Sequence, residues 1–516
     1  IIAAYKQWGF DCINHLTGMF AFAIFDKIKN IVFLTRDRIG EKPLHYSFDN
    51  DIFYFSSELK PLLSISENNK QINNNSFNTY LSTGYISGEN TLLNRIKKLP
   101  PAYAIKYDLK SGNFEKWRYW NLPQKICNSE SYDNVDILCS KVENLLSNSV
   151  KKQLQADVPV GVLLSGGLDS SIITAMAAKF AKDLKTFTIR FPSNGEFDET
   201  EHARLISKYF NTEHIELDVQ DTGPEFLMEL SEIIDEPIID SSIIPTFLVS
   251  KLVRNHCKVV LGGDGGDELF GGYRYYSRLL WMQNNTRFIP QIFLKYFAVF
   301  ANEMLPLGYK GRNWIRNLDL DFLNDIPSVN NFYDSRSRSN LLPSSIYSQS
   351  INSHFNEEET INYGLLNKIT RLDLYNFLPE DILVKVDRAS MHHSLEVRAP
   401  FLDHELVEFV FSKIPSHLKA NSTDKKILLK MIAKRLLPED FDYSRKQGFS
   451  PPMNDWFLRK SWIDMTADIL LDQNCVFNKT AVQNLLKSLK KGHNNGERIF
   501  GLLMFELWRR RNHLSF

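Results

Sequence analysis

The run VPVGVLLSGGLDSS, Val158 to Ser171, constrains this chain more than any other stretch. Val158 to Leu164 is apolar and reads as a strand buried in a parallel sheet. It stops at Ser165-Gly166-Gly167, and a helical segment opens at Asp169-Ser170-Ser171-Ile172. Adjacent glycines let the backbone turn sharply and approach a ligand with no Cβ in the way. The first amides of the helix and the positive end of its dipole then face the turn, which suits a phosphate. The G-x-x-x-x-G-K-[ST] spacing of the P-loop is absent. Serine hydroxyls replace its lysine, and Asp169 can hold magnesium against the phosphates. A tight turn alone would account for Gly-Gly, but the strand before it, the helix after it and the hydroxyl residues together favour an anion site.

Strands and helices alternate downstream: helix Ile172–Ala181, strand Lys185–Phe191, helix His202–Phe210, strand His214–Val219, helices Pro224–Ile234 and Ile244–Asn255, and strand Lys258–Leu261. This order predicts an open, doubly wound parallel sheet with helices on both faces and ligands at the carboxyl ends of its strands. Ile189 lies late in the second strand, at that carboxyl end. An acidic loop, Glu196 to Glu199, follows that strand. The fourth strand runs into GGDGGDELFGGY, Gly262 to Tyr273. Glycines around acids make a close-approach loop whose spacing does not fit an EF-hand. With a phosphate in the serine-glycine turn, magnesium is the natural partner of Asp267, shared with Asp169, which leaves Asp264 to orient or activate a substrate.

The chain has 516 residues, enough for at least two domains. Lys+Arg and Asp+Glu both total 61, so no overall basic field attracts nucleic acid. The five cysteines, Cys12, Cys127, Cys139, Cys257 and Cys475, fit neither a disulfide framework nor a zinc site. Phe288 to Leu307 is the most apolar stretch, but Pro290, Gln291, Lys295 and Asn302 interrupt it, so it reads as an amphipathic or buried helix and no membrane partner is expected. With no signal peptide visible, the cytoplasm is the expected compartment. A homodimer is left open.

SGGLDSS resembles the pyrophosphate loop of the ATP pyrophosphatases, enzymes that cut ATP between its α and β phosphates. Together with DEPIIDSSIIPTFLVSKL (Asp235 to Leu252) and GGDGGDELFGGY it resembles the glutamine-dependent asparagine synthetases. The match continues through DILVKVDRASM (Asp381 to Met391), LEVRAPFLD (Leu395 to Asp403) and RKQGF (Arg445 to Phe449). At the front, GMFAFA (Gly18 to Ala23), Arg36-Asp37-Arg38, Gly40, Lys42-Pro43-Leu44 and Ser57-Glu58-Leu59-Lys60 resemble the second half of a class II glutamine amidotransferase domain. The chain begins IIAAYKQWG, without Met and already in a helical pattern, so a truncated front is expected. The resemblance puts the nucleophilic cysteine and the glutamine-binding residues upstream of Ile1, and Cys12 is expected to be a core or surface cysteine and not the nucleophile. The predicted layout is an α+β remnant of an N-terminal-nucleophile amidotransferase domain over 1–122, a linker over 123–136, and over 137–516 an α/β ATP-pyrophosphatase domain with a helical C-terminal lobe.

The resemblance implies that a carboxylate attacks the α-phosphate of ATP, that pyrophosphate leaves into the serine-glycine cradle, and that ammonia then attacks the acyl-adenylate to give an amide and AMP. It places ATP against Leu164, Ser165, Gly166, Gly167, Asp169, Ser170, Ile189, Gly262 and Gly263, and magnesium on Asp169 and Asp267. Asp264 and Lys446 are the expected catalytic residues. Asp264 stands where the family often has Glu, and Gly262 where it often has Ser. Lys446 is a cation for the leaving group, although most lysines are solvated. Asp387, Arg388, Glu396 and Arg398 either form an acceptor pocket or are structural ion pairs. His392 and His393 are expected to serve packing or solvent contacts. The implied substrates are ATP, aspartate, and glutamine in the intact family or ammonia for this chain. A sugar uronic acid as acceptor stays open, as do another ATP pyrophosphatase and a non-catalytic binding module.

Overall fold

The computed structural model describes residues 1–49, 52–65, 67–124, 134–190, 200–218, 223–322, 331–349, 351, 363–443 and 451–516. The acidic loop Glu196 to Glu199, the RKQGF turn with Lys446, and Cys127 lie outside the described residues.

Seven strands build two antiparallel sheets at the front. Strands β1 (Ala21–Asp26) and β2 (Ile31–Arg36) form a hairpin, with Asn30 at positive φ in its turn. Strands β3 (His45–Asp49), β4 (Ile52–Ser56), β5 (Ile96–Lys98), β6 (Tyr103–Asp108) and β7 (Phe114–Arg118) complete the orders β1-β2-β6-β7 and β4-β3-β5. Cys12 is fully buried against Ile13, Phe33 and Ala104, so it is a core cysteine.

Strands β8 (Val160–Leu163), β9 (Lys185–Arg190), β10 (Glu213–Asp218), β11 (Val259–Leu261) and β12 (Glu396–Arg398) form one parallel sheet in the order β10-β9-β8-β11-β12. The order reverses between β8 and β11, and a crevice opens at their carboxyl ends at such a reversal. Helices Val135–Gln153, Leu168–Ala178, His404–Lys413 and Ile427–Leu436 share an apolar core on one face of the sheet. Helix Ile243–Val253 packs on the other, through Val249 and Val253 against Phe187 and Val260. The fifth strand is a correction to the sequence reading: Glu396 to Arg398 is too short to show an alternating pattern, and only its neighbour β11 makes it a strand.

The C-terminal lobe is helical, as expected, and its core reaches back to the front of the chain. Leu59, Phe77, Tyr80 and Ile96 pack with Phe247, Phe500, Phe505 and Trp508, and the Phe77 and Phe505 rings stack at 4.2 Å. The stretch from Phe288 to Leu307 contains helix Gln291–Met304. No helix among the described residues is long and apolar enough to cross a membrane.

Candidate active site

The loop after β8 is shaped by its own side chains. Gly166 sits at φ +72°, and a Cβ there would lie 2.6 Å from His202 Cβ and 2.8 Å from the Ala203 amide nitrogen. The Ser165 and Ser170 hydroxyls lie 3.0 Å apart; the Ser165 amide donates to Ser170 Oγ (3.2 Å) and the Gly167 amide to Ser165 Oγ (3.3 Å). Helix Leu168–Ala178 starts inside the motif, so its first turn faces the loop.

The glycine-rich loop after β11 presses onto this turn. Added Cβ atoms would stand 2.8 Å from Asp169 Cγ at Gly266, 2.2 Å from Leu402 Cδ2 at Gly265 and 1.8 Å from Asp267 Oδ1 at Gly272. Only glycine permits that approach. It brings Asp169 and Asp267 onto one buried cation, Lys426, whose Nζ hydrogen-bonds Asp169 and lies 2.6 Å from Asp267 Oδ1. Lys426 has φ +53°, a costly conformation for a residue with a side chain. Burial alone would lower its ammonium, but the two carboxylates outweigh burial and hold it charged.

Both loops open on one cavity of about 740 Å³. Leu164, Ser165, Gly166, Gly167, Asp169, Ser170, Ile189, Gly262, Gly263, Asp264 and Asp267 all line it. Burial pushes the Asp264 carboxyl up against the pull of Lys385, and Asp169 and Asp267 add to the rise. The wall beyond Asp264 carries a polar network. Lys385 Nζ donates to Asp240 Oδ2 (2.6 Å) and Ser242 Oγ (2.7 Å), and Ser241 Oγ donates to Glu497 (2.5 Å). Burial holds Asp381 well above the carboxylate range, with Asp240 adding to the rise, and lifts Glu497 to about 7. Glu268 accepts from the Tyr273 hydroxyl at 2.5 Å, and burial next to Asp267 raises it to about 8. Among the described residues no three His, Cys, Asp or Glu side chains gather as a metal site. Two carboxylates are nevertheless what magnesium takes from a protein when phosphate oxygens and water supply its other ligands.

The four residues left between a pocket and ion pairs are placed as ion pairs. Arg398 Nε lies 2.6 Å from Glu396 Oε1, and its Nη1 donates to both the Gln153 and Gln155 carbonyls. Alternation along β12 sends Val397, not its neighbours, to the cavity. Asp387 takes Lys42 at 2.8 Å and Arg388 at 3.0 Å; Arg388 also pairs with Asp235 and donates to the Ser57 carbonyl at 2.6 Å. These bonds join the front sheets to the nucleotide domain, beside a 30 Å³ cavity lined by Arg36, Leu44, Lys98, Asp235, Glu380 and Arg388. His392 and His393 sit against the Phe247 ring at 5.5 and 4.3 Å, and burial lowers His393 to about 4.

Sequence reading missed Lys426, which lies in no motif. It also passed over Asp240, Asp381 and Lys385, although each stands inside a quoted motif; the carboxylate–lysine pairing across two motifs was the available signal.

Residues 141–510 match the asparagine synthase family model, and residues 1–120 match the glutamine amidotransferase domain model. The chain is 30% identical to glutamine-hydrolysing asparagine synthetase 1 of Bacillus subtilis (strain 168), over 98% of this chain and 80% of that protein. It is 28% identical to glutamine-hydrolysing asparagine synthetase 3 of the same organism, over 87% and 70%. It is 24% identical to amidase chyE of Penicillium rubens, over 88% and 73%. With the two motif loops closing on one cavity and a family match over most of its length, this chain belongs to the asparagine synthase family, an amidotransferase domain ahead of a synthetase domain.

Proposed function

We propose that the chain converts aspartate to asparagine at the expense of ATP, through a β-aspartyl-AMP intermediate. The observation that carries this reading is the convergence of the serine-glycine loop and the acidic glycine loop on one cavity. In the proposed reaction the aspartate side-chain carboxylate attacks the α-phosphorus, and the bond to the bridging oxygen of the β-phosphate breaks. The pyrophosphate is received by the Ser165 and Ser170 hydroxyls and the amides of Gly166 and Gly167. Lys426, and Lys446 from the C-terminal lobe, supply positive charge as the leaving group gains negative charge; a fixed countercharge there is worth about 3 kcal/mol. Ile189 backs the adenine. Ammonia next attacks the acyl carbon, Asp264 takes the proton it sheds, and AMP leaves.

Asp169 and Asp267 would hold magnesium. An ion held there would supply positive charge against the departing diphosphate. The nitrogen is taken as ammonia, which the intact family makes from glutamine in its first domain.

Incubating the chain with ATP, magnesium, aspartate and ammonium should yield AMP and asparagine in equal amounts. ADP in place of AMP would overturn the α-phosphate chemistry. A second reading has the same reaction act on another carboxylate, such as a sugar uronic acid. AMP release from a uronic acid but not from aspartate would select it.

A further inference from the structure

We propose that helix Gln291–Met304 docks this protein on an anionic lipid surface, an interaction separate from the reaction above. The helix buries only Leu294, Ala298 and Ala301. Phe293, Phe297, Phe300 and Met304, spaced i, i+4, i+7 and i+11, form one exposed ridge. Ile292 and Tyr296 stand beside it, and Phe288 precedes it; these three are 75%, 69% and 78% exposed, and Met304 is 68% exposed. A contiguous apolar face of this size on a folded protein marks an interaction surface.

Charge identifies the occupant. The chain as a whole is neutral. Around this helix, however, Arg278, Arg287, Lys295 and Lys310 are exposed, and Arg287 lies over the Phe288 ring at 4.5 Å. From Arg274 to Asp321 the acidic residues are Glu303, Asp319 and Asp321, against seven Lys and Arg residues. Arg336 takes the Glu303 carboxylate at 2.5 Å, and Asp319 and Asp321 lie beside the helix start, where Gln291 donates to the Asp319 carbonyl. A second copy seated ridge to ridge would bring these cations against their own counterparts. An anionic headgroup layer would meet the cations while the aromatic ridge enters the acyl boundary, as interfacial amphipathic helices do. The helix is too short to span a bilayer and long enough to lie on one.

The test is flotation of the full chain with phosphatidylcholine vesicles, with and without roughly one-third phosphatidylserine. The chain should float with the anionic vesicles only. Phe293→Glu with Phe297→Glu, and separately Arg287→Glu with Lys295→Glu, should each cut the bound fraction at least about tenfold. Both double variants should still produce AMP at the parent rate, because none of the four residues lines the cavity. Failure to bind anionic vesicles overturns the proposal. So does binding that both double variants retain, or self-association abolished by Phe297→Glu without any vesicle binding.

Discussion

Lys426 Nζ lies 2.6 Å from Asp267 Oδ1 on a backbone held at φ +53°, so a lysine sits between the two carboxylates expected to hold magnesium. In Lys426→Met, Asp169 and Asp267 face each other without their cation. AMP formation should fall roughly 10²- to 10³-fold. Thermal unfolding reads the metal separately: added magnesium should raise the melting temperature of Lys426→Met more than that of the parent. Equal shifts in both would show that the two carboxylates do not hold the ion.

Gly166 has its left-handed φ and His202 directly behind it. Gly166→Ala must move the loop or the helix that carries His202, at a cost of about 1–3 kcal/mol. The KM for ATP should rise at least about tenfold while the KM for ammonium holds. A parent-like KM for ATP would mean the loop does not touch the nucleotide.

Arg388 reaches Asp235, Asp387 and the Ser57 carbonyl, tying the front sheets to the nucleotide domain. Arg388→Met takes the cation from the buried Asp235 carboxylate, while Asp387 keeps Lys42, and should cost about 3–5 kcal/mol in urea unfolding. Adding Asp235→Asn should recover part of the loss. If Arg388 instead served the acceptor, the KM for aspartate would rise and stability would stay.

Lys419 is fully buried over the Phe411 ring at 4.3 Å, and burial, with Arg371 adding, lowers its ammonium to about 7. Unfolded, a lysine titrates near 10.4. The folded chain therefore binds fewer protons between about pH 7 and 10. The penalty is full below pH 7 and fades as pH rises, so this group makes stability climb with pH across that window. Lys419→Met should flatten the climb and stabilise the chain by about 2 kcal/mol at pH 6.5. A parallel stability–pH curve would count against this.

Local sequence carried the parallel sheet, because βα alternation and the apolar run into Ser165-Gly166-Gly167 are signals read within about thirty residues. It also carried the two glycine-rich loops, whose backbone demands few other residues meet. Three things escaped it. Strand Glu396–Arg398 exists through pairing with Val259–Leu261. Packing of residues 59–96 against C-terminal helices more than 350 residues away has no local signal. Glu396, Arg398, Asp387 and Arg388 read equally as pocket or ion pairs in a linear motif, and only the fold supplies their ion-pair partners.

The proposed phosphate site is thus contiguous in sequence, since a turn, a helix start and its hydroxyls are neighbours along the chain. The charge balance of the cavity was not. Lys426 meets Asp169 and Asp267, and Lys385 meets Asp240, across 145 or more positions, and such pairs form only once the sheet has brought its strand ends together.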